Sequence, residues 1–376
     1  MATDPPARAA PARPVTNPGL DSTARLVARR FAGWGFVPHL VRRVFADPTP
    51  EGVAAAFGAF CERALLAPIA APEFFDASVG AVLGARLADD RRVVVKVHGP
   101  RTSARYLTAM QTVQHALADA GFPAPAPLAP PQPLDAGIAV AETLLDAGER
   151  ADGHDPAVRR TIARELARLV ALCRELRDVD GLHENAMATG PADLWPQPHD
   201  GRFDFAATTP GAEWLDAVAR RARAARDRDA GDVVVGHTDW RVQHLRFAGG
   251  ELTAVYDWDS LAIQREPVLA GGVAHLFVAD WEAGDVRFPT LDEALGFIAD
   301  YEAGRGAAFG AEERAVARAA LLYAMAYTAR CEHSDALTDF GSRQADLTHA
   351  HDPAPPGSAR AFVAAHAETL LGVSRP

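Results

Sequence analysis

The sequence predicts an α+β protein of two lobes, a small one built on antiparallel strands and a larger helical one. Three observations predict this arrangement. Residues 71–141 contain short apolar runs separated by turns, apolar residues recur at helical spacing through most of the chain after Pro156, and two short apolar runs that end in acids interrupt those helices at 233–260. A chain of 376 residues is long enough for two or three such lobes.

The composition and charge narrow the choice of partner and compartment. The chain is 48% hydrophobic with a net charge of -11, which argues against nucleic acid and against an acidic membrane surface. No apolar run reaches the roughly 18 residues of a membrane span, and the first residues lack the apolar core of a secretory signal. Three widely spaced cysteines suit a reducing compartment. We therefore expect a cytoplasmic protein; the oligomeric state stays open.

The order of the local signals divides the chain into four predicted parts. A helix is expected from about Asp21 to Asp47, with Asp21 or Ser22 as N-cap, and a second helix over Glu51–Leu66. The parts are a disordered tail at 1–20, a helical extension at 21–70, a strand-rich N-lobe at 71–141, and a hinge with a helical C-lobe at 142–376.

The predicted N-lobe begins with FFDASVGAVLGARLADDRRVVVKV, which indicates two or three antiparallel strands with a tight turn at Asp89-Asp90. A helix is expected over Thr102–Ala120, ended by Gly121. The proline-rich segment PAPAPLAPPQP is interpreted as a connector, and Gly137–Leu145 as an apolar strand that leads into the C-lobe. The predicted C-lobe helices are Ala157–Val179, Gly211–Asp229, a stretch around Val268–Asp280, Thr290–Gly304, Ala311–Cys331 and Ala359–Leu371.

Two apolar runs within the C-lobe, Val233–Gly236 and Leu252–Tyr256, are interpreted as the strands of one β-hairpin with a Gly249-Gly250 turn. His237-x-Asp239 follows the first run and Asp257-x-Asp259 follows the second. Such a hairpin delivers carboxylates to one end, where one can act as a base and another can bind a metal ion. Phosphoryl transfer needs that division, because positioning and charge neutralisation supply most of its catalysis.

This pattern resembles the catalytic and metal-binding loops of the aminoglycoside phosphotransferase family, which shares the protein-kinase-like fold with choline kinases. The family typically carries His-Gly-Asp-Leu-His-x-x-Asn and then Ile-Asp-Trp-Asp/Glu; this chain has HTDWRVQH at 237–244 and VYDWD at 255–259. The resemblance covers roughly Phe74 to Phe340. It implies a bilobal protein-kinase-like fold and ATP-dependent transfer of phosphate, with Mg²⁺, to a hydroxyl group of a small molecule.

The two acid-bearing motifs supply the candidate catalytic and metal-binding residues. Asp239 is the expected base, which accepts or orients the proton of the attacking hydroxyl. Asp257 is the expected Mg²⁺ ligand, and Asp259 is a further ligand or a supporting partner. The alternative is that these acids are solvated residues of turns. His237 is structural in the resembled family, and we expect it to hold the loop through backbone groups.

His244 stands where the family has an Asn that binds the second metal ion. Neutral imidazole is a poorer Mg²⁺ ligand than oxygen and prefers transition metals. Three outcomes stay open: catalysis with one metal ion on Asp257, a ligand supplied by the neighbouring Gln243, or a protein that binds nucleotide without transferring phosphate.

The expected nucleotide-binding residues lie in the N-lobe. Lys96 stands within a run of valines, where its ammonium needs a partner, and the resemblance assigns it to the ATP phosphates. Ser78 and Gly80 belong to the candidate turn over the phosphates. By resemblance and position, the strand from Glu142 to Leu145 is the candidate hinge, where the backbone at Glu142 and Leu144 is expected to bind adenine. The helix after Lys96 lacks the Glu that the family usually places there. Gln111 or Gln114 is the expected substitute.

The leading prediction is therefore a phosphotransferase that uses ATP and Mg²⁺ on a hydroxyl group of a small molecule. The alternative is a catalytically weakened nucleotide-binding or regulatory protein that keeps the fold. A metal-dependent phosphohydrolase is a third hypothesis, but such an enzyme needs more His and Asp ligands than the hairpin supplies. Three acids, Glu332, Asp335 and Asp339, form either a site for a cationic acceptor or an ordinary solvated helix end, which the pattern favours.

Overall fold

A five-stranded antiparallel sheet forms the N-lobe. The computed structural model of the chain describes residues 17–184, 193–198, 200, 202–281, 287–337 and 357–372; the predicted tail at 1–20 lies almost entirely outside them. The strands stand in the order β1-β2-β3-β5-β4. Their bounds are β1 Ile69–Ala77, β2 Gly80–Leu87, β3 Arg92–His98, β4 Pro127–Leu134 and β5 Gly137–Thr143.

From residue 17, where the described part of the chain begins, three helices precede the sheet, where the sequence suggested two. They are α1 Pro18–Trp34, α2 His39–Val44 and α3 Pro50–Phe60, and the last continues into a π-helical turn at Cys61–Leu65. The predicted N-cap at Asp21 or Ser22 is wrong, because the Asn17 side chain accepts from the first free N–H groups. The predicted single helix also ends early, since Gly35 adopts the left-handed conformation (φ 75°) and closes α1.

The central strand β3 has two different faces. Val93, Val95 and Val97 are fully buried in the core that the sheet forms with α1, α2 and α3. Successive side chains of a strand point to opposite faces, so Lys96 and His98 lie on the other face. The N-terminal helices therefore cover the outer face of the sheet and leave its inner face to the rest of the chain.

Helix α4 (Ala104–Asp119) follows β3, and β4 follows α4. The interpretation of the proline-rich segment as a connector is wrong, since Pro127–Leu134 pairs with β5. Proline lacks the N–H that a central strand donates, and β4 lies at the edge of the sheet, with irregular register, where that loss is tolerated.

The C-lobe is mostly helical and shares one apolar core with α4. Among the described residues, no helix is both long and apolar enough to cross a membrane. The predicted α+β architecture of two lobes is confirmed. The helices are α5 Pro156–Leu172, α6 Glu213–Arg226, α7 Glu266–Ala274, α8 Leu291–Arg305, α9 Ala311–Leu337 and α10 Ala359–Leu370.

The region predicted to form one hairpin contributes strands to two small sheets. Strand β6 (Val233–His237) pairs with β9 (Leu261–Arg265), and β7 (Leu245–Ala248) pairs with β8 (Glu251–Val255). The Gly249-Gly250 turn joins β7 to β8, and both glycines have positive φ, which suits them to that turn. The pairing of the first apolar run with the second is therefore wrong, although both runs are strands and each precedes its acidic loop.

Helix α7 packs very closely on α9 and supports β6. A Cβ atom added to Gly271 would lie 1.9 Å from the backbone oxygen of Ala317 on α9. One added to Gly236 on β6 would lie 2.3 Å from the Leu269 side chain. Glycine at these positions lets the α7 backbone approach both neighbours, which fixes β6 and the acidic loop that follows it.

We expect Gly271→Ala to lower the free energy of unfolding by about 1–3 kcal/mol, because the added methyl group must push α7 away from the α9 backbone. Gly272→Ala is the matched control. A Cβ atom there meets nothing within 4 Å, and alanine raises helix propensity by about 0.8–1 kcal/mol. Urea denaturation of both variants measures the difference. Equal stabilities would contradict this packing.

Candidate active site

Lys96 joins the two lobes at the cleft. Its Nζ atom on β3 contacts the Oδ1 atom of Asp257 and lies 2.6 Å from the Oδ1 atom of Asp259. Burial lowers the pKa of the Lys96 ammonium, but the two carboxylates outweigh that effect and raise the pKa above its usual value. Lys96 therefore remains charged, and the structure brings the predicted lysine and both acids of the second motif together.

Asp259 is held from two sides. Its Oδ2 atom lies 3.2 Å from the Nδ1 atom of His98, which follows Lys96 by two residues on the same face of β3. The Tyr106 hydroxyl of α4 lies 2.8 Å from the backbone oxygens of Asp259 and Leu261 and can donate to either. Burial opposes ionisation, yet Lys96 and His98 hold the pKa of Asp259 well below its ordinary value.

Asp257 has a backbone conformation that few residues adopt. Its φ of 63° and ψ of 47° lie in the left-handed region, which Asp tolerates better than most residues. Backbone strain of this kind concentrates at functional sites. Here the conformation turns the chain directly after β8 and leaves the carboxylate facing Lys96.

Asp239 lies on the loop after β6, beside the second motif. Its Oδ1 atom lies 3.0 Å from an Nη1 atom of Arg241, and its Oδ2 atom lies 3.6 Å from the Nδ1 atom of His244. Burial raises the pKa of the Asp239 carboxyl. The charges of Arg241 and His244 lower it by more than burial raises it, so the pKa lies below its ordinary value. Asp239 is therefore an ionised carboxylate at neutral pH.

His237 and Thr238 tie the Asp239 loop to the Asp257 loop. The fully buried His237 ring places Nε2 2.9 Å from the backbone oxygen of Tyr256, a bond in which Nε2–H donates. Burial lowers the pKa of His237, which keeps the ring neutral. Thr238 donates to the backbone oxygen of Ser260 from both its N–H and its hydroxyl group. These bonds set the spacing of the two acidic loops.

The tryptophans of the two motifs belong to the core. Trp240 is fully buried and donates to the backbone oxygen of Ile162 on α5, so it does not line an open pocket. Trp258 is 2% exposed and donates to the backbone oxygen of Val255. Both rings lie edge-on to His237. Large apolar side chains therefore anchor each loop, and the acids beside them are only partly exposed.

The cleft contains donor atoms for a divalent cation. One atom each of Asp239, His244 and Asp257 lies within 4.8 Å of the other two. The carboxylate oxygens of Asp257 and Asp259 suit Mg²⁺. His244 has other partners: Nδ1 lies 3.0 Å from the backbone oxygen of Asp239, and Nε2 lies 3.1 Å from an Arg241 nitrogen. The Gln243 amide oxygen accepts from the Trp281 N–H. The residues fit a cation held mainly by the Asp257 motif.

The turn between β1 and β2 lies over Lys96. The Ser78 N–H donates to the backbone oxygen of Gly80, which closes the turn. A Cβ atom on Gly80 would lie 3.0 Å from the Cε atom of Lys96. The glycine therefore lets the turn approach the lysine side chain, and both predicted turn residues lie on the same side of the cleft as the lysine.

The segment after β5 crosses from the sheet to the C-lobe. The Leu144 N–H donates to the backbone oxygen of Arg92, so that N–H continues the sheet. The backbone oxygen of Leu145 accepts from the Tyr256 hydroxyl, and Glu149 exchanges two backbone hydrogen bonds with Phe247 on β7. The predicted hinge is therefore fixed at both ends, beside the loop that carries Asp257.

The Glu142 side chain was missed by sequence reasoning, which considered only its backbone. Its register opposite Val94 on β3 places it on the same face of the sheet as Lys96. Its Oε2 atom accepts from Gln114 of α4 at 2.5 Å. Burial raises the pKa of Glu142 to about 7, against the opposing effects of Gln114 and Lys96. Gln114 thus donates to a carboxyl group, whereas we expected Gln114 or Gln111 to accept a hydrogen bond from Lys96. Gln111 donates to the backbone oxygen of Ala129.

Arg241 and His98 were also missed. Both are adjacent to predicted residues, but an Arg in a polar loop and a His after a valine run are ordinary in sequence. A basic residue two positions after the proposed base was the one local signal for Arg241. Of the three acids proposed for a cationic acceptor, Glu332 caps α10 by accepting from Ala359 and Arg360, and Asp335 pairs with Arg202. Asp339 lies outside the described residues.

Comparisons with known proteins agree with this geometry. Residues 85–264, which contain both acidic motifs and Lys96, match the model of the phosphotransferase enzyme family. The resemblance to the aminoglycoside phosphotransferase family is confirmed. A comparison with curated protein sequences found no significant match.

Solved structures show the fold. An amicoumacin kinase in complex with AMP-PNP and Ca²⁺ has a TM-score of 0.52 at 11% identity, and the alignment covers 80% of this chain and 88% of that one. The protein-kinase-like fold is thereby confirmed. A macrolide 2′-phosphotransferase from Brachybacterium faecium has a TM-score of 0.47 at 16% identity (80% and 99% covered), and a Plasmodium vivax ethanolamine kinase has 0.48 at 11% (97% and 96% covered).

Glu142→Gln should remove a pH-dependent loss of stability. The pKa of Glu142 rises from 4.5 to about 7 on folding. An acid with a raised pKa opposes folding increasingly as the pH rises between those two values. We expect the variant to gain about 1–3 kcal/mol in unfolding free energy over the wild type between pH 4.5 and pH 7.5. Urea denaturation across this range measures the difference, and parallel pH profiles would contradict the assignment.

Proposed function

We propose that the protein transfers the γ-phosphoryl group of ATP to a hydroxyl group of a small molecule. One observation carries the proposal: the carboxylates of Asp239 and Asp257 and the ammonium of Lys96 lie in one cleft between the sheet and the helical lobe. A base, a metal ligand and a phosphate-binding cation are the three groups that phosphoryl transfer requires. The family match supports the same reaction.

Asp239 would hold the acceptor hydroxyl and take its proton as the oxygen attacks phosphorus. An ionised carboxylate can accept that proton, and its depressed pKa means that it acts mainly by orienting the hydroxyl and releases the proton readily. Arg241 and the bonds of the loop hold the carboxylate in place. Because the transition state is loose, orientation of the attacking oxygen matters more than strong basicity.

Asp257 and Asp259 would hold Mg²⁺, which supplies charge neutralisation for the ATP phosphates when bound. Lys96 now neutralises both carboxylates. We expect its ammonium to turn towards the phosphates when nucleotide and metal ion are present, since the ion then satisfies the carboxylates. His98 keeps Asp259 oriented throughout.

A nucleotide-binding protein without transferase activity is the second candidate. It is favoured by His244, whose two ring nitrogens already have partners, and by Gln114, which contacts Glu142 and not Lys96. The Asp239 carboxylate at the cleft favours the transferase, because nucleotide binding alone does not require a base.

Asp239→Asn should lower ATP turnover by about 10²–10⁴-fold, because the amide cannot accept the hydroxyl proton. The assay follows ADP release with Mg²⁺ or Mn²⁺ across a panel of aminoglycosides, choline and ethanolamine. Asp300→Asn is the matched control, since Asp300 also pairs with an arginine and is similarly exposed, but between α5 and α8. Turnover that survives in Asp239→Asn, or that falls by the same factor in Asp300→Asn, would contradict the assignment. Nucleotide binding without turnover on any acceptor would favour the second candidate.

Asp257→Ala should abolish the metal-dependent part of nucleotide binding, because it removes carboxylate oxygens that would hold Mg²⁺. The measurement is the shift in unfolding temperature that ATP causes with Mg²⁺ and with EDTA. In the wild type and in Asp300→Ala we expect a larger shift with Mg²⁺. Asp257→Ala should show the same shift in both buffers, and a retained Mg²⁺ effect would contradict the ligand assignment.

A further inference from the structure

Arg241 occupies a central position in the cleft. Its side chain is 16% exposed, with one Nη atom 3.0 Å from Asp239 Oδ1 and the other 3.1 Å from His244 Nε2. Its Nε atom is buried and has no hydrogen-bond partner among the described residues. A planar guanidinium with five N–H donors thus contacts the proposed base, and each Nη atom carries a second N–H besides the one used in these two contacts.

Arg241 and Lys96 contact different carboxylates of the cleft. Lys96 approaches Asp257 and Asp259 from the sheet, whereas Arg241 approaches Asp239 from the loop after β6. The two groups are linked through His244, whose Nε2 atom lies 4.0 Å from Asp257 Oδ2. The guanidinium therefore lies on the side of the base, next to the metal-binding carboxylates. A phosphoryl group that moves from a metal-bound nucleotide to a hydroxyl on Asp239 passes between these positions.

We propose that Arg241 is a catalytic residue that binds the γ-phosphoryl group of the nucleotide. The inference rests on the proposed function. Its two Nη atoms match the spacing of two phosphate oxygens, and charge-assisted bonds of this geometry are among the strongest in proteins. Arg241 also contacts the Nε2 atom of His244. His244 stands where the resembled family has the Asn that binds its second metal ion. In this chain the guanidinium supplies positive charge at that place.

The step balances without any further reactant. The acceptor oxygen forms a bond to the γ-phosphorus, and the bond from that phosphorus to the bridging oxygen breaks. ADP leaves with the electron pair, and the hydroxyl proton passes to Asp239 and then to solvent. Arg241 stays protonated and donates N–H groups to the non-bridging oxygens of the transferred group.

A merely structural ion pair with Asp239 makes a different prediction. Its loss would disturb the loop and affect all nucleotides alike, whereas a contact with the third phosphate affects only nucleotides that carry one. Binding of AMP-PNP and of ADP therefore distinguishes the two roles, and the measurement needs no acceptor.

The test is calorimetric titration of the full chain with AMP-PNP and with ADP, each with Mg²⁺, for the wild type, Arg241→Gln and Arg241→Lys. We expect Arg241→Gln to weaken AMP-PNP binding about 10- to 100-fold relative to ADP binding. Arg241→Lys should show a smaller relative loss, because the ammonium keeps the charge without the planar pair of donors. Arg159→Gln is the matched control, since Arg159 forms a similar half-buried pair with Asp300 between α5 and α8.

Each outcome of the titrations either supports or overturns the proposal. A relative loss confined to the Arg241 variants supports the proposal. An equal loss for both nucleotides, no loss, or the same relative loss in Arg159→Gln overturns it. If Arg241→Gln does not fold, as judged by thermal unfolding, the comparison of Arg241→Lys with the wild type decides in the same way. A wild-type protein that binds neither nucleotide overturns the proposed function itself, and this result is distinguishable because the wild type then fails before any variant is compared.

Discussion

The contact of Lys96 with Asp257 and Asp259 is the interaction on which the cleft depends. The lysine comes from the central strand of the sheet, and both carboxylates come from the loop after β8. All three side chains are largely removed from water, and an unpaired charge in such a place costs several kcal/mol. The lobes therefore meet where these charges meet. The same carboxylates are the oxygen donors that suit Mg²⁺, so the groups that join the two lobes are those that a bound nucleotide and metal ion would engage.

Charge balance fits the absence from α4 of the Glu that the resembled family usually has there. Three carboxylates, Asp239, Asp257 and Asp259, face two permanent cations, Lys96 and Arg241. A further ionised acid beside Lys96 would increase the negative charge, but burial raises the pKa of Glu142, although the hydrogen bond from Gln114 opposes that rise. The glutamine on α4 thus fits this chain, in which the lysine finds its partners across the cleft and not on the helix.

The site is precise because apolar packing holds its polar loops. His237 is buried between the rings of Trp240 and Trp258 and bonds to the backbone before Asp257. Tyr106 of α4 contacts the backbone after it. Helix α7 supports β6 through the close approach of Leu269 to Gly236. Asp239, Asp257 and Asp259 therefore lie on short loops whose neighbours are core residues, and this packing limits the movement of their carboxylates.

The sequence by itself determined the class of fold, the lysine within the valine run and the two acid-bearing turns, because periodicity and turn residues are local properties of the chain. Tertiary structure decided that β6 pairs with β9, since nothing within the first apolar run specifies that distant partner, whereas β8 pairs with its neighbour β7 across the local Gly249-Gly250 turn. It also decided the partners of Lys96 and the positions of Arg241, His98 and the Glu142 side chain. These depend on the approach of the sheet to the C-lobe loops, which long-range packing sets. An arginine in a polar loop carries no mark of the carboxylate that it will contact until the chain is folded.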